Sequence, residues 1–191
     1  PFTLSKQDTT RSSNIINIQA MTIDDQDNIW LASGDGYIFR YHRKQEQFEQ
    51  IFPTDLSTTP ALFQSNPYAL EIVSDSMLWV ATSHGIYYLN HQIDEATGQV
   101  QSKAQMAKYE PNVGNDNPKI GKQILKDRKN QIWASTTEGL AFWDKELNHF
   151  TIIDPTEYDA NIQSKSLNHL CLSASGTQIW CTTKGEELIR Y

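Results

Sequence analysis

The chain has 191 residues, 38% of them hydrophobic and 10% aromatic, with 16 Lys and Arg against 23 Asp and Glu for a net charge of −7. That composition is globular, which excludes an intrinsically disordered chain, and its acidic balance, with no basic stripe, argues against nucleic acid as a partner. No apolar run approaches the roughly 20 residues of a membrane-spanning helix, and two cysteines, Cys171 and Cys181, are too few for a disulfide scaffold or a structural zinc site.

In chain order, Phe2-Thr3-Leu4 is similar to Phe48-Glu49-Gln50-Ile51 and to Phe150-Thr151-Ile152-Ile153, so residues 1–6 read as the outer strand of a preceding unit. The first full unit, residues 14–53, opens with the alternating Ile16-Asn17-Ile18-Gln19-Ala20-Met21. It continues with the β-rich runs Ile29 to Ala32 and Tyr37 to Tyr41, and closes on Phe48 to Ile51. Turn-forming stretches, Asp24-Asp25-Gln26-Asp27-Asn28 and Ser33-Gly34-Asp35-Gly36, separate the strands. A second unit spans 66–110, lengthened around Asp94-Glu95-Ala96-Thr97-Gly98 as an extended hairpin. A third spans 119–154, and an incomplete fourth spans 166–191. The Pro-, Asn- and Ser-rich stretches Pro53 to Pro67 and Pro111 to Lys119 read as connections between units.

Trp30, Trp79, Trp133 and Trp180 lie 49, 54 and 47 residues apart, each preceded by Ile or Leu and followed five or six positions later by Gly36, Gly85, Gly139 or Gly185. Four short antiparallel strands in a unit of this length make one propeller blade. No unit carries the i, i+3, i+4, i+7 spacing of a helical solenoid. The predicted fold is all-β: a β-propeller fragment of about four four-stranded antiparallel blades. Starting at Pro1 without Met and stopping after a third strand, the chain reads as a piece of a larger ring. A tryptophan at the same place in every blade is expected in the core between blades. Trp143 has no counterpart in the other repeats, and packing is its expected role.

The blades resemble the two-component regulator propeller repeat. The match is carried by Ile124-Leu125-Lys126-Asp127, Gln131-Ile132-Trp133-Ala134-Ser135-Thr136 and Gly139-Leu140-Ala141-Phe142-Trp143-Asp144. Ile23-Asp24 with Asn28-Ile29-Trp30, and Leu78-Trp79-Val80-Ala81-Thr82 with Gly85-Ile86-Tyr87-Tyr88, follow the same pattern. The fourth unit departs from it, with Ser173-Ala174 at the acidic position and Gly185-Glu186-Glu187 in place of Gly-Leu. The resemblance implies a periplasmic sensing segment of a bacterial inner-membrane protein, whose output is a histidine kinase or a diguanylate cyclase. The membrane would then be met only through parts of the parent outside this chain. The family includes carbohydrate sensors, and no motif here names the small molecule.

Cys171 and Cys181 read as facing each other across a hairpin centred near Gly176, either as a cross-strand disulfide or as two buried thiols. The periplasmic setting that the resemblance implies favours the disulfide. The loops between second and third strands of a propeller lie on a face where ligands commonly bind. Asp35, His84, Glu138 and Lys184 occupy those loops and are the candidate ligand-binding rim. His42, His91, His149 and His169 show no metal-ligand spacing, and no metal or other cofactor is expected. There is no GxSxG, P-loop or dinucleotide fingerprint, and the adjacent carboxylates Asp24-Asp25 and Glu186-Glu187 point to opposite faces of a strand. The expected function is therefore non-catalytic sensing. A protein-interaction scaffold, with self-association through exposed blade faces, and a carbohydrate-active propeller enzyme are the alternatives.

Overall fold

The computed structural model describes residues 17–34, 36–51, 65–74, 76–93, 100–109 and 122–191. They form four antiparallel sheets, each a meander of strands in sequence order. Blade 1 contains β1 (Ile18–Ile23), β2 (Ile29–Ser33), β3 (Ile38–His42) and β4 (Gln47–Ile51). Blade 2 contains β5 (Pro67–Ser74), β6 (Met77–Thr82), β7 (Gly85–Ile93) and β8 (Val100–Met106). Blade 3 contains β9 (Gln123–Lys126), β10 (Ile132–Thr136), β11 (Gly139–Asp144) and β12 (His149–Ile153). Blade 4 has three strands, β13 (Leu167–Leu172), β14 (Ile179–Thr183) and β15 (Leu188–Arg190). The all-β propeller fragment expected from the sequence is thus the fold found. The extended hairpin of blade 2 pairs out to Ile93 opposite Val100; residues 94–98, like the outer strand expected at 1–6, lie outside the described residues.

The blades stack through their innermost strands, β1 against β5, β5 against β9 and β9 against β13. Strand period fixes which residues meet there, because successive side chains alternate between the two faces of a sheet. Trp30 stands opposite Arg40 and Thr22, and with Ala20, Ala32 and Ile38 it faces blade 2, where Leu70, Leu78, Val80, Tyr87 and Leu89 receive it. Trp79 leaves the other face of blade 2 and packs on blade 3 among Ile124, Ile132, Ala134 and Phe150. Trp133, with Leu140 of its own blade, does the same toward Leu170, Ile179 and Cys181 of blade 4. Trp143 is buried in the interface of blades 2 and 3, its ring 4.8 Å from that of Trp79 and 5.2 Å from that of Phe150. Trp30 and Trp79 are 2% and 1% exposed, so each buries roughly 150–250 Å² of ring surface and anchors its interface. The core role expected of all four repeat tryptophans is weaker for the later two: Trp133 is half-buried, and Trp180, also half-buried, faces away from blade 3.

The six-residue spacing shared by Asp24–Trp30 and Asp127–Trp133 has a local cause. In blade 1 the Asp24 carboxylate accepts from the backbone N–H of Gln26 (3.0 Å) and Asn28 (2.8 Å), closing the first turn, and from Trp30 Nε1 (3.0 Å). Asp127 repeats this with Lys129 N (2.8 Å), Gln131 N (2.9 Å) and Trp133 Nε1 (3.1 Å). One carboxylate therefore ties the turn to the indole six residues on. In blade 2 the corresponding residue is Val73, whose side chain cannot accept, and Trp79 Nε1 is buried without a hydrogen-bond partner.

Blade 4 corrects the expected cysteine pairing. Its first turn closes from Ser173 N–H to Gln178 O, one residue longer than the Asp24–Asn28 and Asp127–Gln131 turns. The extra residue shifts the register, so Cys181 stands opposite Leu170 and Cys171 opposite Trp180. The two side chains consequently leave opposite faces of the sheet, and both thiols are free, Cys171 exposed and Cys181 buried. Burial, reinforced by the neighbouring Cys171, pushes the Cys181 thiol up to about 12.

Candidate functional site

A buried hydroxyl builds each turn between second and third strands. Thr82 Oγ1 donates to the Gly85 carbonyl at 2.9 Å and accepts from the His84 N–H at 3.1 Å. Thr136 makes the same pair with Gly139 and Glu138, and Ser33 with Tyr37 in both directions. In blade 4 Thr183 accepts from Gly185 N–H and donates to the Glu187 carboxylate. These turns stand at the end of each blade where the inner strand begins, because Ile18 pairs with Ser33, Pro67 with Thr82, Gln123 with Ser135 and Leu167 with Thr183.

Three inner strands begin together there and enclose a hollow of about 540 Å³ lined by Tyr68, Ala69, Lys122, Gln123, Asn168 and His169. Tyr68 is 45% exposed, presenting an aromatic ring to solvent beside polar side chains. Lys122 Nζ donates to Asn168 Oδ1 at 2.5 Å, and the Gln123 amide oxygen accepts from the Leu170 N–H at 2.7 Å. Ser135 Oγ adds a bond to the Asn168 carbonyl at 3.3 Å. Blades 3 and 4 are therefore stitched at this mouth by polar side chains that hold one another in position. An ammonium group has three donors, so Lys122 can meet a ligand while bound to Asn168.

Below the mouth the inner strands of all four blades line a channel of about 470 Å³, bounded by Met21 and Thr22, Tyr68 to Glu71, Gln123 to Leu125 and Leu170 to Leu172. Glu71 is half-buried there. Desolvation pushes its carboxyl up to about 7, against the opposing charge and backbone N–H of Lys126. Lys126 Nζ itself donates to the Val73 carbonyl at 3.4 Å.

The rim residues expected from the sequence fare unequally. His84 is exposed, with Nδ1 3.0 Å from Ser83 Oγ. Lys184 is exposed at the equivalent turn of blade 4, and Asp35 lies outside the described residues. Glu138 is committed to Lys165, whose Nζ is 2.5 Å from its carboxylate; that hydrogen bond and charge raise the Lys165 pKa. His84, Glu138 and Lys184 each stand at the second turn of their own blade, at one end of the blades. The residues that do converge, Tyr68, Lys122, Gln123 and Asn168, escaped sequence reading. They sit at or just before the first positions of inner strands, where a repeat alignment registers only alternation. Among the described residues there is no group of three or more His, Cys, Asp or Glu placed to hold a metal ion, and no helix long and apolar enough to cross a membrane.

No protein-family model matches the chain, and no curated protein matches it in sequence. Solved structures do match. The extracellular domain of a protein described as a hybrid two-component system from B. thetaiotaomicron superposes with a TM-score of 0.63 at 14% identity, over 91% of this chain and 23% of that one. A second such domain from the same organism gives 0.60 at 21% identity, over 97% and 25%. The Swd1 β-propeller domain of Myceliophteria thermophila gives 0.63 at 12% identity, over 91% and 51%. These likenesses establish the β-propeller fold, and the chain spans about a quarter of the length of the two extracellular domains.

Proposed function

We propose that this chain is an extracytoplasmic sensory segment of a bacterial transmembrane signalling protein, and that the mouth of its channel binds a small polar ligand. The observation that carries the reading is the convergence of Tyr68, Lys122, Gln123, Asn168 and His169 from three separate blades on one open hollow. An aromatic face beside amide, ammonium and imidazole groups suits a ligand with an apolar ring face and several hydroxyls, such as a sugar. The blade pattern of the two-component regulator repeat supports the same reading, as do structural neighbours that are themselves extracellular domains of proteins described as two-component systems. In this reading the segment lies in the periplasm and has no catalytic role. The parent's kinase or cyclase output and its membrane span lie elsewhere in the polypeptide.

The test is calorimetric titration of the chain with a panel of neutral and acidic oligosaccharides. A binder is expected, and Tyr68→Ala should weaken it about tenfold, the scale of one lost ring contact. A panel without any binder, or a binder indifferent to both Tyr68→Ala and His169→Ala, refutes the mouth as the site. Sequencing the parent gene on both sides tests the setting: a gene with no membrane span refutes it.

A further inference from the structure

The hollow at the channel mouth inverts the charge of the chain. The chain has 23 acidic residues against 16 Lys and Arg, yet the residues lining the hollow include Lys122 and His169 and no acid. All of them belong to blades 2, 3 and 4 or lead directly into them, so the hollow is built by interfaces internal to this chain. Asn168 fixes the ammonium. Its Oδ1 accepts from Lys122 Nζ at 2.5 Å, while its Nδ2 donates to the Thr183 carbonyl at 3.4 Å and so anchors the amide to its own blade. Lys184 follows Thr183 and is exposed, a third basic residue at the edge. The carboxylates of the adjoining turns are mostly engaged. Glu138 is bound by Lys165 at 2.5 Å, and Glu187 accepts from the Gln163 N–H at 2.9 Å and from the Thr183 hydroxyl. Glu186, exposed, is the remaining one among the described residues of those turns. In the channel below, the acid among the lining residues is Glu71, so a negative group is favoured at the mouth and disfavoured deeper.

We infer that the ligand of this mouth is anionic: a sugar bearing a carboxylate or a sulfate, its charged group on Lys122 and His169 and its ring face on Tyr68. The inference rests on the mouth being the binding site and assigns the charge which that site selects. An ammonium and an imidazole are single-point donors without the planar fork of a guanidinium, so they can donate to a carboxylate or a sulfate alike. Asn168 is a positioning residue. It occupies one of the three ammonium donors and leaves the others for the ligand. Tyr68, 45% exposed, supplies the apolar contact beside them.

Calorimetric titration with pairs of sugars that differ only in charge tests it. The first pair is tri-galacturonate and its methyl ester. The second is trigalactose with and without sulfate groups, which separates a sulfate-bearing ligand from a carboxylate-bearing one. The charged member of one pair is expected to bind at least about tenfold more tightly than its neutral partner, the scale of one charge-assisted hydrogen bond. Lys122→Gln should abolish that preference and Lys122→Arg retain it. Asn168→Asp, which sets a carboxylate against the ammonium, should abolish it with Lys122 still in place. The preference should also shrink as sodium chloride rises from about 0.01 M to about 1 M, over which the screening length falls from about 30 Å to about 3 Å. Tyr68→Ala, by contrast, should weaken both members of the pair alike. Equal binding within both pairs, a neutral partner preferred, or a preference that persists in Lys122→Gln overturns the inference. If Tyr68→Ala still weakens binding in that event, the mouth remains the site and only its selection of charge is refuted. Absence of binding by all four sugars overturns the mouth as the site and the inference together.

Discussion

Removal of the Asp24 carboxylate should expose how much of blade 1 hangs on one side chain. Besides the turn and the Trp30 indole, Asp24 holds Arg40, whose Nη2 lies 3.1 Å away, with the two side chains only 7% and 6% exposed. The guanidinium lies 5.0 Å from the centre of the Trp30 ring, and its Nε has no hydrogen-bond partner, so Asp24 is the charge that offsets its burial. Asp127 makes the same turn and indole bonds without a buried cation. Asp127→Ala therefore loses hydrogen bonds alone, about 1–2 kcal/mol. Asp24→Ala also strands a buried cation and should cost about 3–5 kcal/mol. Urea denaturation, read from midpoints and m-values, separates them. If the stranded guanidinium is the cause, Asp24→Ala/Arg40→Leu should be more stable than Asp24→Ala by about 1–3 kcal/mol. Equal losses for the two alanine variants, or a double variant no more stable than Asp24→Ala, would refute the reasoning. Acid should act in the same direction. Burial pulls the Asp24 carboxyl up, but hydrogen bonds from Trp30, Asn28 and Gln26 outweigh it and hold the group below its usual range. A depressed carboxylate contributes stability that is present above the unfolded pKa and lost as pH falls through the folded one. The wild type should thus lose stability below about pH 4, with a shallower acid limb in Asp24→Asn.

Glu71 has the opposite sign. Its pKa rises from 4.5 to about 7, so the folded state favours the protonated form. Stability should fall as pH rises through that interval, and Glu71→Gln should flatten the profile; a melting temperature that rises with pH from 5 to 8 in the wild type contradicts this. Val73→Asp supplies the acceptor that Trp79 Nε1 lacks. With Lys126 beside it, the variant should be about 1 kcal/mol more stable in urea at neutral pH, and a destabilised variant counts against the comparison with Asp24. Gly139→Ala should cost more than about 2 kcal/mol, because at φ +137° its Cβ would lie 2.2 Å from the Ile153 carbonyl oxygen. A thermal melt within a degree of wild type would show that β11 and β12 can part at no cost.

The sequence made the blades legible because the tryptophans recur with the same neighbours, and a repeated pattern constrains packing at every repeat at once. Strand bounds such as Ile29 to Ala32 and Phe48 to Ile51 fell within a residue of β2 and β4. The cysteine pairing failed on a single residue. Counting back nine from Trp180 lands on Cys171, but the longer turn puts Leu170 in the position that Met21 holds in blade 1, and period-two alternation turns that offset into opposite faces. The channel mouth was illegible for a different reason. Tyr68, Lys122, Gln123 and Asn168 have no common spacing, and only the approach of three inner strands brings them together. Glu138 looked available in its turn because its partner, Lys165, lies in the stretch leading into the next blade.

The hydroxyl beneath each rim turn separates the shape of the loop from its chemistry. Thr82, Thr136 and Thr183 are buried and hold the turn backbone from inside, while His84, Glu138 and Lys184 sit one step outward and bear none of that duty. A lineage can exchange His84 and Lys184 for others without refolding the blade, each exchange costing within about 0.5 kcal/mol at an exposed position. The rim is in that sense a keyboard on a fixed frame: its outward side chains can change without altering the turns that carry them.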